Sequence, residues 1–192
     1  MIELRNLSFR YGRKPILQNY SNSIPNAAIC IGSNGCGKTT LLRLIAGILK
    51  PDNGEILCNA KTIFSVSFLQ NTDILFDTLT ILQHFNWIQQ HASLTTKTIT
   101  THIENFNITP LLNRRPTNMS QGERQWASLA LTCLMPADLL LLDEPFQHLD
   151  AAKSSHLCKR LNQMANAQTH ILLTAHAPIP ELNIPTWQFP VI

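Results

Sequence analysis

Charged side chains make up only 14% of this 192-residue chain and aromatic ones 7%, beside 44% hydrophobic residues. That balance excludes a long disordered tail and is ordinary for a globular α/β protein long enough to bury its own core. Fifteen Lys and Arg against twelve Asp and Glu leave a formal charge of +3. So mild and scattered a surplus is no nucleic-acid footprint, and no direct nucleic-acid contact is expected. The five cysteines, Cys30, Cys36, Cys58, Cys133 and Cys158, form no CxxC pair and have no closely spaced histidine partners. A zinc site and a disulfide framework are therefore not suggested, and a reducing compartment fits best. Nowhere does the chain approach the ~18 consecutive apolar residues of a spanning helix. The opening Met1–Arg5 has no basic segment followed by an apolar stretch, so the expected membrane role is peripheral. Repeats, low-complexity tracts and Gly/Ser linkers are also lacking, and residues 1–192 read as one unit.

What is present alternates between two periods. Ile2-Glu3-Leu4 and Leu7-Ser8-Phe9 alternate like strands, and Tyr11-Gly12 marks a turn. Ala27–Ile31 is a short buried strand running into a glycine loop. From Lys38 onward Leu41, Leu42, Ile45, Ile48 and Leu49 recur at helical spacing, until Lys50-Pro51 stops the helix. Residues 71 to about 118 are rich in Thr, Gln, Asn and His and read as a mostly helical subdomain inserted into the α/β core. A helix from near Ser120, the strand Leu139–Leu142, a helix across Ala152–Met164, the strand Ile171–Thr174 and a short tail from Trp187 to Ile192 follow. Strands alternating with helices imply a mostly parallel sheet covered on both faces, preceded by N-terminal antiparallel strands.

Two motifs carry chemistry. Gly32-Ser33-Asn34-Gly35-Cys36-Gly37-Lys38-Thr39 matches GxxxxGK[ST] between a buried strand and a helix start. Glycines there let successive backbone N–H groups point at phosphate oxygens, and the helix dipole adds positive potential. Lys38 supplies a full charge for the β- and γ-phosphates, Thr39 a hydroxyl for Mg²⁺, and Thr40 belongs to the same nucleotide-binding set. A small residue contributing its backbone suffices at Cys36. Leu139–Leu142 then ends in Asp143-Glu144-Pro145, a hydrophobic strand delivering two carboxylates to its C-terminal edge. Asp143 is placed to bind Mg²⁺, directly or through water, and Glu144 to act as general base on the attacking water. Alone, the pair would read as a helix cap and a solvated turn residue; after a phosphate loop it does not.

Met119-Ser120-Gln121-Gly122-Glu123, lying between these two motifs, resembles the LSGGQ sequence of the ATP-binding-cassette (ABC) ATPases. The resemblance runs from about Ile2 to His176. It implies a P-loop NTPase cassette that takes ATP and Mg²⁺ and works as a dimer with a second cassette, a second copy of this chain. Each Ser120 helix, with Gly122, would then face the γ-phosphate held by the other subunit. It further implies that Tyr11 stacks on adenine, that Gln70 reaches Mg²⁺ and the attacking water, that Asp150 contacts the dimer partner, and that His176 contacts the γ-phosphate. Gln121 and Glu123 depart from the family's usual small residue and Gln. Lys38, Asp143, Glu144 and His176 are all present, so ATP hydrolysis is expected.

Such a subunit powers separate integral membrane permease subunits from the cytoplasmic face of the inner membrane. Phe146 after Glu144-Pro145, with Leu173-Thr174-Ala175-His176-Ala177-Pro178, is similar to the ATP-binding subunits of bacterial haem exporters in cytochrome c maturation. That similarity implies haem export. The first alternative is the ATPase subunit of another small ABC transporter, since other short ABC subunits can carry the same residues. Two further ones remain: a soluble ABC ATPase acting on nucleic acid or ribosomes, which lacks support in a coiled-coil insertion or second cassette, and a non-hydrolysing regulatory subunit, against which Glu144 and His176 stand.

Overall fold

The computed structural model describes residues 1–62, 64–70, 74–167 and 169–189. Two sheets form the framework. The first is antiparallel and joins β1 (Ile2–Tyr11), β2 (Lys14–Ile24) and β4 (Asn53–Cys58) in the order β2-β1-β4. The second is wholly parallel, in the order β5-β6-β7-β3-β8, from β3 (Ala27–Ile31), β5 (Val66–Leu69), β6 (Leu139–Leu142), β7 (His170–Ala175) and β8 (Thr186–Gln188).

The two alternating segments read at the N-terminus are one strand with a change of phase. Ile2, Leu4, Leu7 and Phe9 are all buried, which strict alternation from Ile2 to Phe9 forbids. The pairing with β2 slips between Leu4 and Leu7, and Asn6 between them adopts φ 50°. The slip returns Leu7 and Phe9 to the face already used by Ile2 and Leu4.

The centre of the parallel sheet is buried on both faces, because β3 and β6 are apolar at every position and β7 nearly so. Ile29, Ile31, Leu140, Leu142, Ile171 and Leu173 face one core, whereas Ala28, Cys30, Leu139, Leu141 and Leu172 face the other. The first core is closed by α4 (Gln121–Leu134) and α5 (Ala151–Asn166) through Trp126, Leu129, Leu157 and Leu161. The second is closed by α1 (Lys38–Ile45) and by the antiparallel sheet. Between β5 and α4 the described chain is helical, with α2 (Ile81–His91), α3 (Thr96–Asn105) and two 3-10 turns. Phe85 and Phe106 anchor this segment to the first core.

Two sequence expectations need correction. The helix after the glycine loop ends at Ile45, not at Leu49. Gly47 takes φ 73°, and the Ile48 N–H turns back to the Arg43 carbonyl at 2.9 Å, a glycine-terminated C-cap that outcompetes one more helical turn. Ile48 consequently stands 55% exposed. The tail also contains a strand: β8 pairs in parallel with β3, aligning Cys30 with Trp187. Pro185 and Pro190 bracket so short a segment that no alternation was visible; residues 190–192 lie outside the described residues.

Candidate functional site

The loop 32–37 connects β3 to α1 at the C-terminal edge of the parallel sheet, where β6 and β7 also end. Gly37 has φ 118°, and a Cβ there would sit 2.7 Å from Ile16 Cγ2 and 3.1 Å from the Phe189 ring. A side chain is thus excluded both by conformation and by the packing beneath the loop. Lys38 is only 4% exposed, and its ammonium donates to the Gly32 and Ser33 carbonyls at 2.8 and 3.1 Å. Those bonds hold a buried cation at the centre of the loop, while Asn34 and Gly35 form its exposed rim. The Cys36 thiol lies on the inner side: a Cβ on Gly32 would come within 2.9 Å of its sulfur.

Across from the loop, the end of β6 presents its two carboxylates differently. Asp143 is 2% exposed and accepts 2.7 Å hydrogen bonds from the Thr39 hydroxyl at Oδ2 and the Thr174 hydroxyl at Oδ1. Glu144 follows with φ 49°, a left-handed conformation costing a non-glycine residue about 1 kcal/mol. Its N–H donates to Thr174 Oγ1 at 2.9 Å. Its carboxylate meets the Lys38 ammonium at 3.6 Å and His176 Nε2 at 3.0 Å, and accepts from Gln147 Nε2. Tyr11 stands on the other side of the loop, 46% exposed, its ring edge-on to Phe9 at 5.0 Å. Tyr11, Lys38, Thr39, Thr40 and Glu144 share one cleft of ≈ 300 Å³.

Gln70 follows β5, whose Leu69 carbonyl accepts the Asp143 N–H at 2.8 Å, so its backbone lies next to the end of β6. Its Oε1 accepts from Arg43 Nε of α1 at 3.2 Å. Thr39, Gln70 and Asp143 each offer an oxygen donor, and the described residues hold no group of three or more His, Cys, Asp or Glu able to bind a metal. Hydroxyl, carboxamide and a single carboxylate, completed by phosphate oxygens, fit a hard cation such as Mg²⁺ and no softer metal.

Ser120, Gly122 and Asp150 do not line this cleft. Ser120 caps α4 in a reciprocal capping box: its hydroxyl accepts the Glu123 N–H at 3.2 Å, and Glu123 Oε2 accepts the Ser120 N–H at 2.8 Å. That backbone bond, followed by Ser120's hydroxyl and the Arg114 guanidinium, holds the Glu123 carboxyl below the usual carboxylate range. Gly122 packs against backbone: a Cβ would lie 2.5 Å from the His148 carbonyl oxygen. Asp150 caps α5 by accepting from the Lys153 N–H at 2.8 Å, with the Lys153 ammonium equally close. Those two contacts, the side-chain one first, lower its carboxyl pKa.

Several contributors, Gln147 at the Glu144 carboxylate among them, escaped the sequence reading. Thr174 is fully buried and ties β7 to the Asp143 carboxylate and the Glu144 backbone N–H; within Ile171–Thr174 it read as strand interior, although a hydroxyl amid leucines is a signal. Lys14 and Ile16 line the cleft from β2, and Phe189, 2% exposed, lies under the loop. None of these three carries a local pattern that would single it out.

A glycine loop between a buried parallel strand and a helix, facing a strand that ends in paired carboxylates, defines a phosphate-loop NTPase. Comparison with known proteins narrows the class. The ABC transporter family model matches residues 18–147, and the chain belongs to that family as an ATP-binding subunit. It is 27% identical over 190 residues to the ABC-type transporter ATP-binding protein EcsA of Bacillus subtilis, covering 92% of this chain and 77% of that one. It is 27% identical over 201 residues to the intermembrane phospholipid transport system ATP-binding protein MlaF of Escherichia coli, covering 95% and 75%. Among solved structures, the dimeric post-hydrolysis cassette MJ0796 bound to ADP and Pi superposes with a TM-score of 0.78 at 19% identity, over 94% of this chain and 90% of that one. The fold is that of an ABC cassette.

Proposed function

We propose that two copies of this chain close on two ATP molecules and hydrolyse them, driving a separate membrane permease. The observation that carries this reading is the grouping of Lys38, His176 and Gln147 around the Glu144 carboxylate at the mouth of the phosphate loop. In it the loop N–H groups and Lys38 hold the β- and γ-phosphates, and Tyr11 stacks on the adenine. Glu144 takes the proton of the attacking water, and His176 binds the γ-phosphate from the end of β7. Thr39, Gln70 and Asp143 would hold Mg²⁺, which would supply charge neutralisation at the phosphoryl oxygens. Each site is completed by the other copy's Ser120 and Gly122, at the N-terminus of α4, and Asp150 contacts the partner. The dimeric state of the MJ0796 cassette supports assembly from two copies. Loss of the γ-phosphate removes the charge contacts that hold the dimer closed, so it reopens.

The chain is one cassette over residues 1–192, with a helical subdomain from about 71 to 118 that relays the motion. An apolar groove of ≈ 280 Å³ supports docking to the permease: Phe76 and Trp87 line it at 62% and 51% exposure, with Phe68 and Met135. No described helix is long and apolar enough to cross a membrane, and the cassette works as a peripheral subunit on the cytoplasmic face of the inner membrane. For cargo, the likeness of Phe146 and Leu173–Pro178 to haem-exporter subunits supports haem export in cytochrome c maturation. Purification from gently solubilised native membranes tests this: a polytopic partner with haem-handling companions is expected. A different polytopic partner replaces the cargo, and recovery from the soluble fraction alone refutes the transport reading.

The hydrolysis reading is tested by Glu144→Gln. This variant should bind Mg-ATP, release no phosphate and accumulate as an ATP-dependent dimer in size-exclusion chromatography with light scattering. A chain that stays monomeric at saturating Mg-ATP refutes the sandwich.

A further inference from the structure

The N-terminal turn of α4 carries an anionic side chain, Glu123, beside the N–H groups that the dimer reading aims at a partner's triphosphate. A carboxylate at the rim of an anion site opposes the ligand unless its charge is balanced. Here the balance comes from outside the helix. Arg114 lies in the connection between the two 3-10 turns, six residues before the cap. Its Nη1 meets Glu123 Oε1 at 2.5 Å, and its Nη2 donates to the Asn118 carbonyl. The other Glu123 oxygen accepts the Ser120 N–H. One guanidinium therefore spans the acidic side chain and the backbone that leads into Ser120. The pair is partly sheltered, with 39% of the Arg114 side chain and 27% of the Glu123 side chain exposed. Arg114 is itself tied to the helical segment, its carbonyl accepting the Ile81 N–H at 3.1 Å.

We propose that Arg114 is a positioning residue for ATP-dependent closure: by pairing with Glu123 it cancels the carboxylate's charge and keeps the Ser120 helix end receptive to the γ-phosphate of the opposing subunit. This rests on the reading that α4 faces a nucleotide held by a second copy. Removal of Arg114 then does harm mainly through the charge it leaves behind on Glu123, and removal of that charge repairs it. A purely structural Arg114, needed only to brace Asn118, predicts no such repair.

The test uses the full chain in the Glu144→Gln background, with dimerisation at saturating Mg-ATP followed by light scattering and monomer affinity for ATP measured separately. Arg114→Gln should weaken dimerisation about tenfold, as expected for one charge-assisted hydrogen bond, with ATP affinity of the monomer unchanged. Adding Glu123→Gln should return dimerisation to within about twofold of the matching Glu123→Gln parent. A double variant as weak as Arg114→Gln alone overturns the proposal in favour of bracing. Undiminished dimerisation of Arg114→Gln overturns it outright. A Glu144→Gln parent that never dimerises overturns the dimer reading itself, and this proposal with it.

Discussion

Replacing Thr174 with valine would separate the shape of the site from its hydrogen bonding. Valine keeps the volume of threonine at a position with no solvent exposure, so packing is preserved and only the hydroxyl disappears. Two bonds go with it: the 2.7 Å donation to Asp143 Oδ1 and the 2.9 Å acceptance of the Glu144 N–H. The first reaches a carboxylate only 2% exposed, and bonds to charged groups contribute about 1.5–3 kcal/mol. The second leaves a backbone donor unpaired at a left-handed residue, costing about 1–3 kcal/mol unless water reaches it. Together Thr174→Val should destabilise the fold by about 3 kcal/mol, read by urea denaturation. It should also lower the steady-state ATPase rate at least about tenfold, since Glu144 loses the contact that holds its backbone conformation. Thr174→Ser is the control: it keeps the hydroxyl, loses one methyl, and should cost about 1 kcal/mol with most activity retained. If the valine and serine variants match in both stability and rate, Thr174 does not organise the Asp143 carboxylate and the Glu144 backbone, and the reasoning fails.

Gly122→Ala would drive a Cβ to within 2.5 Å of the His148 carbonyl oxygen. Because that oxygen is backbone, α4 or the 147–149 loop must shift, and a loss of about 2 kcal/mol in denaturant unfolding is expected; unchanged stability would show that the loop yields freely. His102 gives a pH dependence. Burial, reinforced by Arg160, pushes its imidazole down to about 4, against the raising effect of its contact with the Ala130 carbonyl. A histidine depressed in the fold contributes stability that is complete above about pH 6.5 and lost as pH falls toward 4, because the unfolded chain takes the proton first. Unfolding free energy should therefore drop across that window by at most about 3 kcal/mol, and His102→Gln should flatten the drop. A slope unaltered by this substitution would assign the acid sensitivity to other groups.

The glycine loop and the two carboxylates were legible because each rests on local chemistry. Consecutive residues must form a loop whose backbone points inward, and an apolar run must end in acids. The same holds for the buried strands 27–31 and 139–142, whose apolar character reflects a sheet covered on both faces. The capping character of Ser120 and Asp150 was equally local, since a cap is satisfied within one turn. Local signals fell short where spacing alone had to choose an end point: the helical period ran through Ile48 and Leu49, and one glycine at φ 73° stopped it earlier.

The sequence by itself determined the class of protein and the order of its functional segments along the chain, because those follow from short-range patterns. Tertiary structure alone decided which distant groups share a site. Thr174 reaches Asp143 across 31 residues and Thr39 reaches it across 104, through adjacent parallel strands and the helix packed behind them. Phe189 comes to lie under the phosphate loop because β8 pairs with β3. The neutralisation of Glu123 by Arg114 likewise depends on how the helical segment folds back onto α4. Such contacts are set by strand order and by the sum of buried surface, neither of which any single stretch of residues encodes.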